Sequence, residues 1–298
     1  MSIKKISISN FRCFDSVDLE FSELNNFIHG ANGSGKTSVL EALYFCSTGR
    51  SFKSSNKNLC IQNDKEAFKI QIDTFDNSKI CILKEAKKSI SLEINESKAT
   101  SIELFRAIPS TLLDNKTFSM FADTPKYRRK ILDRCLMASD KNYSKDFFSF
   151  HRSLKQRNAA LKFKRLTNID MWSEIFINSG TLISEKRNNF FEETKQTFFR
   201  FAKNLKDKRV LEIINSLEIL FHKGWTSQHS LKEVLELNRD SDQRKTSTTS
   251  GPHRADIKFL IKDSDIKYIL SRGEQKFMSI LWCLSMHKTL SDVYGVKP

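Results

Sequence analysis

The eight residues GANGSGKT, Gly30–Thr37, constrain this chain more than any other stretch. They satisfy G-x-x-x-x-G-K-[ST] at every constant position. Such a segment needs a strand before it, a helix after it, and a backbone that can aim its N–H groups at phosphate oxygens. Gly30, Gly33 and Gly35 permit that turn, with Ala31, Asn32 and Ser34 between them. Lys36 is expected to reach the β- and γ-phosphates, and Thr37 to offer a hydroxyl to Mg²⁺. Ser38 follows at the positive end of the helix dipole. Phe27 and Ile28 read as the end of a buried strand, and Ser38–Phe45 as a helix with Val39, Leu40, Leu43 and Tyr44 on its apolar side. The chain is therefore expected to bind ATP with Mg²⁺ through Gly30–Ser38.

Charge suggests a second ligand. Among 298 residues, 50 Lys plus Arg stand against 35 Asp plus Glu, a formal net charge of +15. A polyanion accounts for that excess, nucleic acid before an anionic membrane surface; a lysine-rich compositional bias is the plainer alternative. No apolar run of spanning length and no leader pattern is present, so a cytoplasmic protein is expected. Cys13, Cys46, Cys60, Cys81, Cys135 and Cys283 are scattered without a C-x-x-C pair. They read as reduced thiols rather than a zinc site or disulfide frame.

Three zones follow along the chain. SIKKISI, SVDLEF, AFKIQIDTF, KICIL and SISLEI, within residues 2 to about 100, alternate apolar with polar and predict antiparallel strands. Residues 126–245 contain no proline and only Gly180 and Gly224, which favours helices. There Trp172, Ile175, Phe176, Leu182, Ile183, Phe190, Phe191, Phe198 and Phe199 fall near helical spacing and read as core rather than a base-stacking surface. Strand character returns in ADIKFLIKDSDIKYIL, with a hairpin around Asp263–Asp265. GEQKFMSILWCLSMHKTL then reads as a helix with Phe277, Ile280, Leu281 and Leu284 on one face.

Between that hairpin and that helix lies LSRGEQKF, with Ser271, Arg272, Gly273, Glu274 and Gln275 at its centre. It resembles the signature of ABC ATPases in the form found in SMC-like DNA proteins. Ser271 and the Gly273 N–H would stand at a helix N-terminus able to hold a γ-phosphate. In that class the phosphate belongs to a second subunit, so ATP joins two heads into a dimer. Ser271 follows Lys36 by some 235 residues. The fold class expected is α/β: an ABC/SMC-like P-loop ATPase head, its mixed sheet carrying an antiparallel part. The head is split between residues 1–125 and 246–298, and a mostly helical lobe spans 126–245.

Further strings sharpen the resemblance. ISNFRCF, NGSGKTSVLEALYFCSTGRSFKSS, PKYRRKILD (125–133), LKQRNAAL (154–161), GPHRADI (251–257) and LSRGEQK occur in the order found in the RecF family of bacterial recombination mediators. The resemblance implies binding to DNA near single-strand gaps, ATP-dependent homodimerisation, slow hydrolysis, and action with RecR and RecO to place RecA; it implies no membrane. Two departures are visible. The acidic pattern usual before PKYRR is replaced by Asn115 and Lys116, with Asp114 as a stand-in. The apolar strand ending in Asp that should follow the signature helix is not reached before SDVYGVKP. The chain thus resembles a member shortened at its C-terminus and is expected to hydrolyse ATP little or not at all.

DNA-phosphate candidates are Lys126, Arg128 and Arg129, a solvated face being the equal alternative; Lys155 and Arg157, with Lys162–Arg165 nearby; and Arg50 and Lys53 after the phosphate loop, with nucleotide as their alternative ligand. His253 and Arg254 match a family string and imply a place near nucleotide or dimer contact, a structural turn being the alternative. His29 reads as packing. A DNA-repair ATPase is the leading expectation, a nucleotide-gated DNA-binding module without turnover the second, and a transporter subunit a distant third.

Overall fold

The computed structural model describes residues 2–113, 119–122, 124–164 and 169–296. Asp114, Asn115, Lys116 and Arg165 lie outside them. Packing divides the chain into two compact units, Met1–Leu112 with Val296–Pro298, and Leu113–Gly295.

In the first unit the alternating stretches become strands. β1 (Ile3–Phe11), β2 (Phe14–Glu20), β3 (Ala67–Thr74), β4 (Lys79–Glu85), β5 (Ser91–Ile94) and β6 (Ser97–Lys98) form one antiparallel sheet in the order β2-β1-β3-β4-β5-β6. Their period of two turns Ile6, Ile8, Phe68, Ile70, Ile72, Ile80 and Ile82 to one face, all buried. Helices α1 (Lys36–Thr48) and α2 (Ser101–Ala107) contribute Ala42, Phe45, Cys46 and Leu104 to the same core. Phe11, Phe45 and Phe68 meet edge to face, with ring centroids 5.0 and 5.3 Å apart for the two pairs that include Phe68. The expected face of α1 is thus corrected. Val39 is buried, but Leu40 is exposed, and the inward stripe runs through Ala42, Phe45 and Cys46. The expected strand at Phe27 and Ile28 is corrected too: residues 25–29 form no strand, and Phe27 is 89% exposed. Among the described residues no strand pairs with this stretch, and Phe27 is left uncovered.

The second unit is built on helices: α3 (Ser119–Ala122), α4 (Pro125–Ser139), α5 (Lys141–Lys162), α6 (Ile169–Ala202), α7 (Lys208–Asn215), α8 (Leu231–Leu237), α9 (Arg239–Lys245) and α10 (Arg272–Asp292). Most of the aromatic stripe is core, as its spacing requires. Phe176, Ile183, Phe190, Phe191 and Phe198 are buried, while Leu182 is exposed. One strand lies inside the stretch expected to be helical. β7 (Leu217–His222) pairs antiparallel with β8 (Asp256–Ile261), which pairs in turn with β9 (Ser264–Asp265). Lys262 and Asp263, with φ of 50° and 62°, make the two-residue turn of the expected β8–β9 hairpin. The IKY that follows is a short 3₁₀ turn instead of more strand.

The division also differs from the expected split of the head. The β7–β8 ladder ties residues 256–261 to the helical zone, and Trp282 of α10 lies against Phe191 and Phe198 of α6. By packing, residues 246–295 therefore go with the helices. The buried face of α10 is Met278, Leu281, Trp282, Met286 and Leu290, whereas Phe277 and Leu284 remain partly exposed.

Buried ion pairs hold the segment from Asp242 to Asp256 against the helices. Arg187 donates to both oxygens of Asp133, at 2.7 and 2.9 Å, and to the Pro252 carbonyl at 2.7 Å. The Tyr143 hydroxyl also donates to Asp133. Arg157 donates to Asp242 at 2.8 Å, to Thr248 Oγ1 at 2.6 Å and to Ser173 Oγ at 3.0 Å. Asp242 is fully buried, so removing its partner strands a charge. Arg157→Ala should cost about 3–5 kcal/mol of unfolding free energy, and Arg157→Lys should restore only part of it because the planar fork is lost. Urea titration of the three proteins checks this. An alanine variant within 1 kcal/mol or so of wild type would mean that water reaches Asp242.

Candidate nucleotide-binding site

Gly35 governs the geometry of the phosphate loop. Its φ of 92° belongs to glycine, and a Cβ there would overlap Phe14 and stand 2.9 Å from Cys13 Sγ. The loop thus lies directly against the turn between β1 and β2. Gly33, at φ 85°, meets nothing and is required only by its backbone angle. α1 begins at Lys36 with Gly35 as N-cap, no side-chain cap and no acidic residue in its first turn. Its positive end is therefore left for an anion. Residues 31–34 and Thr37 are exposed. Lys36 folds back, donating from Nζ to the carbonyls of Gly30 and Ala31 at 2.8 and 2.7 Å. Ser38 is buried, its Oγ accepts from Cys13 Sγ at 3.7 Å, and its N–H bonds Gly35 O.

One turn beyond Thr37 is Glu41, fully buried. Arg12 grips it with two donors, Nε at 3.0 Å and Nη2 at 2.6 Å, and sends Nη1 to the Leu59 carbonyl. Ser51 and Cys60 also donate to Oε1, and Lys53 Nζ lies 3.8 Å from Oε2. Burial opposes the charge on Glu41, but the hydrogen bonds from Arg12 and Ser51 outweigh it and hold the carboxyl below its ordinary range. This node was not found from sequence. Arg12 stood only as part of ISNFRCF, and a lone Glu in an amphipathic helix reads as a solvent-facing residue.

In the second unit Ser271 is the N-cap of α10 and accepts from the Glu274 N–H. Glu274 accepts from the Ser271 N–H in return, at 2.7 Å. Arg209 braces Glu274 at 3.0 Å, and Gln275 donates to the Lys267 and Leu270 carbonyls. Ser271, Arg272 and Gly273 are exposed, and a Cβ at Gly273 would meet nothing. The signature thus presents a rigid, uncovered helix start.

The expected DNA contacts divide. Arg128 grips Asp256 with two donors, at 2.7 and 3.0 Å; Arg129 donates to the Ala255 carbonyl; Arg157 is buried. These three face inward, and their assignment to DNA is corrected. Arg50, Lys53, Lys126 and Lys155 are exposed. His253 lies among Phe150, Phe176 and the Thr248 carbonyl, where burial pushes its pKa down to about 4. His29 is exposed, against its reading as packing.

Residues 2–292 match the RecF/RecN/SMC N terminal domain. The DNA replication and repair protein RecF of Pseudoalteromonas translucida is 36% identical over 287 residues, covering 93% of this chain and 77% of the relative. The chain belongs to the RecF family. RecF of Coxiella burnetii is 29% identical over 303 residues, covering 99% of this chain and 83% of its own. A solved structure of RecF with ATP superimposes with a TM-score of 0.86 at 28% identity, over 100% of this chain and 83% of that one. An Smc head, at 15% identity and a TM-score of 0.51, shares the fold. Membership in the RecF family places the chain among nucleotide-binding proteins of DNA replication, repair and recombination.

The lowered pKa of Glu41 has a sign. Its stabilisation is complete above about 4.3, the value of an unfolded glutamate, and is lost as pH falls through the lower folded-state value. Glu41→Gln should cost about 1.5–3 kcal/mol at pH 7 and make the acid-induced loss of stability shallower. Denaturant titrations at pH 7 and below pH 4 check both. An equally steep acid loss in the variant would assign that dependence to other carboxylates.

Proposed function

We propose that the chain binds ATP with Mg²⁺ at Gly30–Ser38 and closes with a second copy into a dimer that engages DNA. The observation that carries this reading is that one chain carries both an uncapped, glycine-shaped helix start at Lys36 and an exposed signature helix start at Ser271. Lys36 would exchange its two loop carbonyls for phosphate oxygens, and Thr37 would share Mg²⁺ with the nucleotide. Among the described residues no cluster of three or more His, Cys, Asp or Glu could hold the ion alone, which suits a metal carried in by phosphates. When bound, Mg²⁺ supplies charge neutralisation between the phosphates. The exposed Arg50, Lys53, Lys126 and Lys155 and the +15 balance support DNA as the partner. Action with RecO and RecR in placing RecA, in the cytoplasm, is the role that family membership favours. No described helix is long and apolar enough to cross a membrane.

A second reading is a nucleotide-gated DNA-binding module without turnover. Its supporting observation is that Glu41, the acid of the nucleotide helix, is consumed by Arg12 and Ser51 rather than free to orient water.

Lys36→Ala should weaken ATP about 10- to 100-fold, the loss of a charge-assisted hydrogen bond, measured by calorimetry with Mg²⁺. Unchanged affinity would remove the loop from the proposal. Phosphate release abolished by the same substitution would select turnover over gating.

Ser271→Arg should abolish ATP-dependent dimerisation in light scattering while the monomer still binds ATP. An ATP-dependent dimer in that variant would end the sandwiched-nucleotide reading.

A further inference from the structure

α5 carries a row of cations of which the proposed DNA binding has used only Lys155. Lys141, Lys145, Arg152, Lys155 and Lys162, with Phe148 among them, follow one another at steps of four, three, four, three and seven residues. Those steps place all six on one face of a helix. The structure agrees: each is exposed, Phe148 at 56%. The opposite face, through Tyr143, Phe150 and Arg157, is buried. From Lys141 to Lys162 the row is about 31 Å long, at 1.5 Å per residue.

The row is uncompensated. The acidic residue of α5, Asp146, is paired with Lys186 at 3.1 Å, and Asp140 at the N-cap is paired with the same lysine at 2.7 Å. Among the described residues none of the five cations is ion-paired. Arg152 instead lies 6.0 Å from the Trp172 ring, and Lys162 lies 5.8 Å from the Phe163 ring. A merely solvated helix face would be expected to interleave acids at i+3 or i+4, which stabilise a helix at little cost. Here like charges stand three and four residues apart, an arrangement that costs helix stability unless a polyanion neutralises it.

We propose that this face of α5 is a docking surface for the sugar–phosphate backbone of single-stranded DNA, with Phe148 stacking on an unpaired base. The inference rests on the DNA-binding reading above and names its surface. Shape selects the single strand. The row is straight and lies on a convex helix, so the strands of a duplex wind away from it after a few phosphates. A flexible strand can follow it end to end. Cations with an exposed aromatic between them are the arrangement by which single strands are held without sequence preference.

The test uses the full chain and a fluorescent oligothymidylate, titrated across a salt series, beside a blunt duplex of equal length. Lys145→Glu with Lys155→Glu should lower single-strand affinity at least tenfold and reduce the slope of log affinity against log salt by about 1.4, the share of two phosphate contacts. Lys232→Glu with Lys258→Glu, both exposed and off the row, makes the same charge change and should leave that slope unaltered. Phe148→Ala should weaken the single strand about fivefold or more without changing the slope, since stacking releases no ions. Thermal melting should show all variants folded, because every substituted side chain is exposed. If wild type binds the single strand and the Lys145/Lys155 variant binds it equally, α5 is not the surface, and the broader DNA-binding reading stands. An equal loss on the duplex would overturn the single-strand assignment. A wild-type chain that binds neither DNA would overturn both.

Discussion

The grip of Arg12 on Glu41 is the interaction on which the first unit depends. A carboxylate with no exposure cannot stay charged without compensation, and here the compensation comes from three directions. Arg12 leaves the end of β1, Ser51 and Lys53 follow α1, and Cys60 lies beyond them. A single acid on the nucleotide helix thereby ties the end of the first strand and the segment after the helix to that helix. The close packing of Cys13 and Phe14 against Gly35 is a consequence, since those residues follow Arg12 directly. Phe14 packs against the loop at Gly35, while residues 31–34 stay exposed and Lys36 occupies the Gly30 and Ala31 carbonyls.

The second unit uses the same device for a different end. The polar stretch after α9 has few apolar residues with which to fold itself. It is held by Asp242, Thr248, Pro252 and Asp256, each met by an arginine or its neighbour from a helix. PKYRRKILD, LKQRNAAL and GPHRADI, which stand far apart in sequence, meet there. Arg128 joins Asp256, Arg129 joins Ala255, and Asn158 accepts from Thr248. These strings are therefore a packing lock before they are anything else. β8 is delivered from that lock to its pairing with β7.

Much of this was legible in the sequence. The strands of the first sheet follow from strict alternation, and the phosphate loop from its spacing, because both depend on local geometry. The misses share a different cause. Phe27 and Ile28 are apolar, but a strand needs a partner edge, and a short sequence window does not reveal one. β7 went unread because LEILFH sits in a stretch without breakers, and its alternation of Leu217 and Ile219 inward covers only six residues. The faces of α1 and α10 were misplaced by about one residue. Choosing a face by counting apolar residues ignores small ones such as Ala42 and Cys46, which pack where the sheet comes closest.

The basic residues expected on DNA are distributed differently from that expectation, and side-chain chemistry explains the difference. Of the seven basic residues expected on DNA, the three that turned inward are all arginines, and every lysine stayed outside. A guanidinium can serve two carboxylate oxygens and a carbonyl at once, as Arg128 and Arg187 do, so its burial can be fully compensated. An ammonium is a strongly hydrated point charge on a flexible stem, and it loses more by leaving water. Two of the three inward arginines also take an acid with them, Arg128 with Asp256 and Arg157 with Asp242, whereas Arg129 is met by the Ala255 carbonyl. The net positive charge is then left to surface lysines. Which members of a basic string stay at the surface of this fold thus depends on whether a carboxylate or carbonyl is placed to receive a guanidinium.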